Sequence, residues 1–156
     1  MIYHKSFFTF LRGAIACLLL ALASCDKVPI NGPLDGMWQL MEIEQPNGRQ
    51  DVKANRIYIS FQLHLTQWED LNNQTSYYAH FTHTADSLIF YDFAHPAKHD
   101  LSAGDNDHWI TAEEATSGLL APWGLHSLKA RFAVRRLNSD YMTLQQQDTT
   151  LYFRKI

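Results

Sequence analysis

Few residues in this chain have the type and spacing to do chemistry. Of its two cysteines, Cys17 lies inside an apolar run and Cys25 follows directly after it. His95, His99, Asp100, Asp105, Asp107 and His108 crowd one polar segment. His95 and His99 stand four apart, a spacing that turns two imidazoles toward one ion only on a helix. Pro96 could open such a helix, but no second ligand pair accompanies it, and loop histidines and aspartates are usually solvated. His80 and His83, three apart on an expected strand, point to opposite faces. Glu113 and Glu114 fit the favourable field at a helix N-terminus better than an acid/base pair. Ser117-Gly118 lacks the setting of a nucleophile elbow, and no glycine-rich phosphate loop occurs. The expectation is therefore no metal, no cofactor and no catalytic residue. It stops short of excluding an enzyme, because an active site assembled from distant strands leaves no local motif.

Cys25 stands apart from these. Lys5 and Arg12 precede an apolar stretch, Ala14 to Ala23, which is shorter than the roughly 20 residues that span a bilayer. A spanning helix begun earlier would bury Arg12, at a cost of about 2.5–3.5 kcal/mol near the membrane centre. The stretch suits the hydrophobic region of an export signal. Leu22-Ala23-Ser24-Cys25 resembles the bacterial lipoprotein box, a leucine and two small residues before the modified cysteine. That resemblance implies cleavage before Cys25, a diacylglycerol thioether on its sulfur and an acylated amino group. Several acyl chains hold a membrane stably where one does not.

Composition then narrows the partners. Removing residues 1–24 takes 24 of 156 residues and leaves 132, the size of one domain with a core of its own. Thirteen basic and sixteen acidic residues give a net charge of −3, and losing Lys5 and Arg12 makes it −5. Nucleic acid is not expected as a partner, since its binding needs clustered positive charge. With Cys25 acylated, no thiol remains for a disulfide or a nucleophile.

The remaining elements read as strands. Residues 26–33 hold two prolines and a glycine and form a spacer. Residues 34–44 make the first strand, ended by Gln45-Pro46-Asn47-Gly48. Ile57, Ile59, Phe61, Leu63 and Leu65 alternate with polar residues, which predicts one ten-residue strand with a core face. Residues 76–84 and 87–93 form a hairpin around Ala85-Asp86. Both of its arms carry apolar residues at odd and even positions, which suggests an outer face partly covered by something else. Thr111 and Glu114 have the spacing of a capping box, opening a short helix that Gly118 could close. Strands over 128–137, 141–146 and 149–155 finish the chain. Six or seven clear strands, with a weak one near His108-Trp109-Ile110, describe a closed barrel or a sandwich.

The domain from 34 to 156 resembles the lipocalin-like, calycin-type lipoproteins of Bacteroidetes. Lipocalins open their first strand with glycine-x-tryptophan, here Gly36-Met37-Trp38, and carry a basic residue on the last strand across that tryptophan. Arg154 is the candidate, with Lys155 as a substitute. The resemblance implies an all-β antiparallel up-and-down barrel of about eight strands. The insert from 94 to 127, with its short helix, departs from the simple meander. It would lie over the open end or pack outside the wall.

Eight-stranded barrels are either filled by side chains or hold one small ligand. An open barrel would line its cavity with Ile57, Ile59, Phe61 and Leu63 on one strand and with Phe132 and Val134 on another. Trp109, Leu120 and Trp123 would line the mouth. All nine serve equally as ordinary core. The expectation is a lipid-anchored envelope protein that binds a small apolar or amphipathic ligand. The alternative is a filled barrel that contacts an envelope protein. Asp26-Lys27 after the cysteine shows no acidic run of the kind associated with surface export in Bacteroidetes. The expected location is the outer membrane facing the periplasm, with surface exposure left open.

Overall fold

Alternating apolar residues must put one strand face on a core, and eight such strands close here into a barrel. The computed structural model describes residues 30–96 and 107–156. Cys25, the leader and most of the spacer lie outside the described residues, as do His99, Asp100 and Asp105. The strands are β1 (Gly36–Gln45), β2 (Gly48–Asp51), β3 (Ile57–Gln62), β4 (Leu65–Asp70), β5 (Thr75–His83) and β6 (Ser87–His95). After them come β7 (His108–Trp109), helix α1 (Ala112–Thr116), β8 (Ala130–Leu137), β9 (Tyr141–Gln146) and β10 (Thr149–Lys155). Each barrel strand pairs antiparallel with the next in the order β1, β3, β4, β5, β6, β8, β9, β10. The ring closes where Trp38 of β1 meets Lys155 of β10. Closure leaves no sheet edge to protect. β2 only extends the tail of β1, and β7 adds two residues beside β6.

The expected ten-residue strand is two strands. β3 stops at Gln62, the chain turns at Leu63 and His64, and β4 runs back with Gln62 opposite Leu65. Leu63 has φ +57, which no extended strand accommodates. The turn resets the alternation. Ile57, Ile59 and Phe61 point inward on β3, whereas Thr66, Trp68 and Asp70 are the buried positions of β4.

A second local device accounts for the two-sided pattern of residues 87–93. Asp92 has φ +54, and the pairing of β5 with β6 slips between Tyr78 and His80. This β-bulge switches the inward residues of β6 from Leu88 and Phe90 to Phe93, so both parities are buried without an outer cover.

Trp38, Trp68, Phe90, Phe93 and Phe132 are all at most 1% exposed. A buried aromatic withdraws roughly 150–250 Å² from water, about 4–6 kcal/mol before the entropy of ordering is set against it. Phe132 meets Phe90 at 5.9 Å between ring centroids, and Phe90 meets Trp68 edge-on at 4.8 Å. Rings therefore run in contact from β8 across the barrel to β4.

Candidate functional site

The two ends of the barrel are closed differently. At the end where β1 begins, a short turn (Gly32–Leu34) crosses the opening and buries Leu34. The Trp38 indole N–H donates to the Leu34 carbonyl at 2.8 Å. Lys155 places its ammonium nitrogen 4.9 Å from the Trp38 ring centroid and donates to the Pro33 carbonyl at 2.7 Å. Gly36 has φ +114, and a β-carbon there would stand 3.0 Å from Lys155 Cε, so glycine serves both the backbone and the neighbour. Arg154 does not take this role. Phe153 points inward, so by strand alternation Lys155 points inward and Arg154 outward, opposite Gln39 and Tyr141.

At the other end, β6 hands the chain to the insert and β8 takes it back. Trp109 and His108 pair with Ala94 and His95, continuing the wall past the mouth. Thr111 and Glu114 form the reciprocal capping box, so α1 starts where the spacing predicts. The Glu114 carboxylate accepts from the Thr111 backbone N–H at 2.8 Å and lies 3.0 Å from His108 Nε2. The Thr111 N–H first, then His108, holds its pKa down to about 2. At only five residues, α1 relies on packing, and its Ala115 is buried.

Beyond α1 the chain folds into the mouth. Leu120, Trp123 and Leu125 are at most 2% exposed, with Ala121–Trp123 forming a single tight turn. The Trp123 ring meets Tyr77 of β5 edge-on at 5.3 Å and Trp68 of β4 at 6.5 Å. One residue further on, Gly124 takes φ +70 against the opposite wall, where a β-carbon would stand 3.1 Å from Leu151 Cδ2 of β10. The insert thus reaches from β4 and β5 across to β10. It is a plug over the open end, the first of the two placements the sequence allows.

The nine cavity candidates separate on this frame. Ile57, Ile59, Phe61 and Phe132 face the interior, and Leu120 and Trp123 cap it. Val134 is half-buried at the core margin, beside a slip in the β8–β9 pairing. Leu63 lies outside the barrel interior, 55% exposed on the β3–β4 turn. Trp109 does not line the mouth either, for β7 carries it outside at 57% exposure. Trp68, Tyr77, Phe90, Phe93 and Leu125 contribute to the interior and were missed. The lost signal was the alternation of Thr66 and Trp68, legible only once the chain is cut at Leu63.

Chemically this interior is mostly apolar and lined by rings, with the Thr66 hydroxyl accepting from the Trp68 indole N–H at 2.9 Å. Trp123 Nε1 is buried and has no hydrogen-bond partner among the described residues. Burial first, and Glu114 second, push the Tyr77 phenol above its ordinary pKa, so it remains a neutral neighbour. His95 packs edge-on against Tyr77 at 5.3 Å, and its Nδ1 lies 3.0 Å from the Pro96 carbonyl. Among the described residues, no three His, Cys, Asp or Glu side chains are grouped to hold a metal ion. No helix among them is long and apolar enough to cross a membrane.

Known structures share this architecture. A lipocalin-like protein from Bacteroides uniformis ATCC 8492 superposes with a TM-score of 0.59 at 17% identity, over 80% of this chain and 100% of that one. An uncharacterized protein from Bacteroides eggerthii DSM 20697 does so with a TM-score of 0.54 at 21% identity, over 79% of this chain and 99% of that one. No curated protein matches the sequence. The sequence pattern of the lipocalin-like domain matches residues 18–156, which takes in the glycine-x-tryptophan opening, the barrel and the plug. With that match and the closed eight-stranded ring, this chain belongs to the lipocalin-like domain family.

Proposed function

We propose that the chain is a non-enzymatic binding protein of the cell envelope, anchored through lipidated Cys25 in the outer membrane and facing the periplasm. Its barrel takes a small apolar or amphipathic ligand at the plugged end, beneath the insert. A lipocalin-like barrel supports a binding role in general. The observation that carries the ligand reading is Trp123. It fills the mouth with a ring that other apolar matter could replace, and its buried N–H lacks an acceptor among the described residues. An unmet buried donor costs about 1–3 kcal/mol. A ligand with an apolar body and one carbonyl, carboxylate or ether oxygen would relieve that cost when the insert shifts.

Native mass spectrometry of the protein purified from its own host tests this. A co-purified small molecule is expected, together with a change in tryptophan emission when long-chain fatty acids are titrated into the emptied protein. An apo mass alone, with flat emission, rejects the ligand reading. Anchorage is tested separately by Cys25→Ser, which should move the protein from the membrane to the soluble fraction.

A second reading keeps the barrel permanently filled and gives the protein an envelope protein as partner. The continuous ring contacts Phe132–Phe90–Trp68–Trp123 favour it. Apo mass with a cross-linked protein partner is its expected signature.

A further inference from the structure

Exposed apolar side chains gather at the closed end of the barrel, away from the plug. Ile30, Met37, Leu63, Leu65 and Ile156 are each at least 40% exposed. The backbone ties them together. Asn31 donates from Nδ2 to the Leu63 carbonyl at 2.8 Å, and the Ile156 N–H donates to the Met37 carbonyl at 3.0 Å. Met37 stands in register with Ser60, and Leu65 with Gln62. An open groove of about 260 Å³, lined in part by Leu63, Leu65 and Tyr78, carries the apolar surface up the outer wall. Tyr141 is exposed at the same end beneath the Arg136 guanidinium, 4.6 Å from its ring centroid. Arg136, Arg154 and Lys155 stand here with Asp35, Asp86 and Asp140, so basic and acidic side chains are equal in number at this end. Contiguous exposed apolar surface of this kind marks a contact site rather than ordinary solvent-facing wall.

Leu63 shows that the patch is not a by-product of folding. Its φ of +57 crowds a branched side chain where glycine or asparagine would sit freely, and that side chain is then left in water. The left-handed residue makes the β3–β4 turn, but a leucine side chain held in water adds nothing to it.

The tether identifies what covers this face. Four residues separate Cys25 from Ile30, and a chain extends at most about 3.6 Å per residue step, so the five steps span no more than about 18 Å. We propose that the closed end of the barrel rests on the lipid bilayer, with Leu63 and Leu65 set into the interfacial region and the plugged end turned away from the membrane. This rests on lipid anchorage at Cys25. An apolar face whose basic and acidic side chains balance is not repelled by a bilayer carrying anionic headgroups. In this orientation the ligand mouth opens to the aqueous side.

The test uses the full-length protein, expressed with its leader and reconstituted into phosphatidylethanolamine and phosphatidylglycerol vesicles. An environment-sensitive dye is attached at Leu63→Cys on the hairpin or, for comparison, at Leu119→Cys on the insert. The expected result is emission shifted to the blue at position 63, with quenching by nitroxide lipids several-fold greater than at position 119. Equal quenching at both positions, with the protein still sedimenting with the vesicles, overturns the docking while leaving anchorage intact. Protein left in the supernatant overturns anchorage, and this orientation with it. A dye at position 63 shielded in native outer membranes but unquenched in pure lipid assigns the face to a protein partner and also overturns the proposal.

Discussion

Lys155 makes two contacts at once with the element it closes. Its ammonium nitrogen lies 4.9 Å from the Trp38 ring centroid and donates to the Pro33 carbonyl at 2.7 Å. One side chain thereby joins the last strand, the first strand and the turn across the barrel end.

Removing that link should be measurable. Lys155→Ala loses a cation–π contact and a charged hydrogen bond, together about 1–2 kcal/mol at a partly exposed site. Arg154→Ala, on the outward face, should stay within about 0.5 kcal/mol of the parent. Urea denaturation of the two variants checks this. Equal losses would mean that the assignment of Lys155 to this role is wrong.

Trp123 separates size from polarity. Trp123→Ala empties the mouth and should cost about 3–5 kcal/mol. Trp123→Phe keeps a ring against Tyr77 and Trp68 while removing the unmet N–H, so its cost should be much smaller. Thermal melts of both, without ligand, give the comparison. A phenylalanine variant as unstable as the alanine one would show that the N–H has a partner.

Leu63 should be dispensable for folding. Relief of its left-handed strain is worth roughly 1–2 kcal/mol, offset in part by the extra chain entropy of glycine, about 0.5–1 kcal/mol. Leu63→Gly should therefore be neutral or slightly stabilising in solution. A clear loss of stability would place Leu63 in the fold rather than on a surface kept for contact.

Glu114 makes the insert acid-sensitive. Its carboxyl has a pKa of about 2 in the folded protein against an ordinary 4.5. A depressed folded pKa contributes stability that is fully present above pH 4.5 and is lost as pH falls toward 2. Glu114→Gln should melt below the parent by a constant margin above pH 4.5, and that margin should vanish near pH 2. A margin independent of pH across this range would count against the ionised Thr111–Glu114–His108 arrangement.

Much of this molecule was legible in one dimension. Period two marks Ile57, Ile59 and Phe61 as core. The spacing of Thr111 and Glu114 marks the helix start, and Gly36-Met37-Trp38 points to the barrel's first strand. The first two signals lie within a few residues, where backbone geometry alone links spacing to a shared face or cap, and the third rests on the resemblance to lipocalins. The errors arose where a single left-handed residue interrupts a regular pattern. Leucine is a poor residue for that conformation, and Asp92, whose type tolerates it, stands alone within an apolar strand pattern. Cutting the chain at Leu63 moves Leu63 and Leu65 from core to surface and brings Trp68 inside.

The sequence by itself determined the all-β class, the alternating core face of the strands and the helix cap, because these depend on neighbours in the chain. Only the tertiary structure decided that Lys155 rather than Arg154 covers Trp38, that the insert plugs the mouth, and that apolar side chains gather at the opposite end. Those outcomes depend on residues far apart in sequence, such as Trp123 with Tyr77, Gly124 with Leu151, and Met37 with Ile156. The register at which the ring of strands closes brings them together, and no local pattern encodes that register.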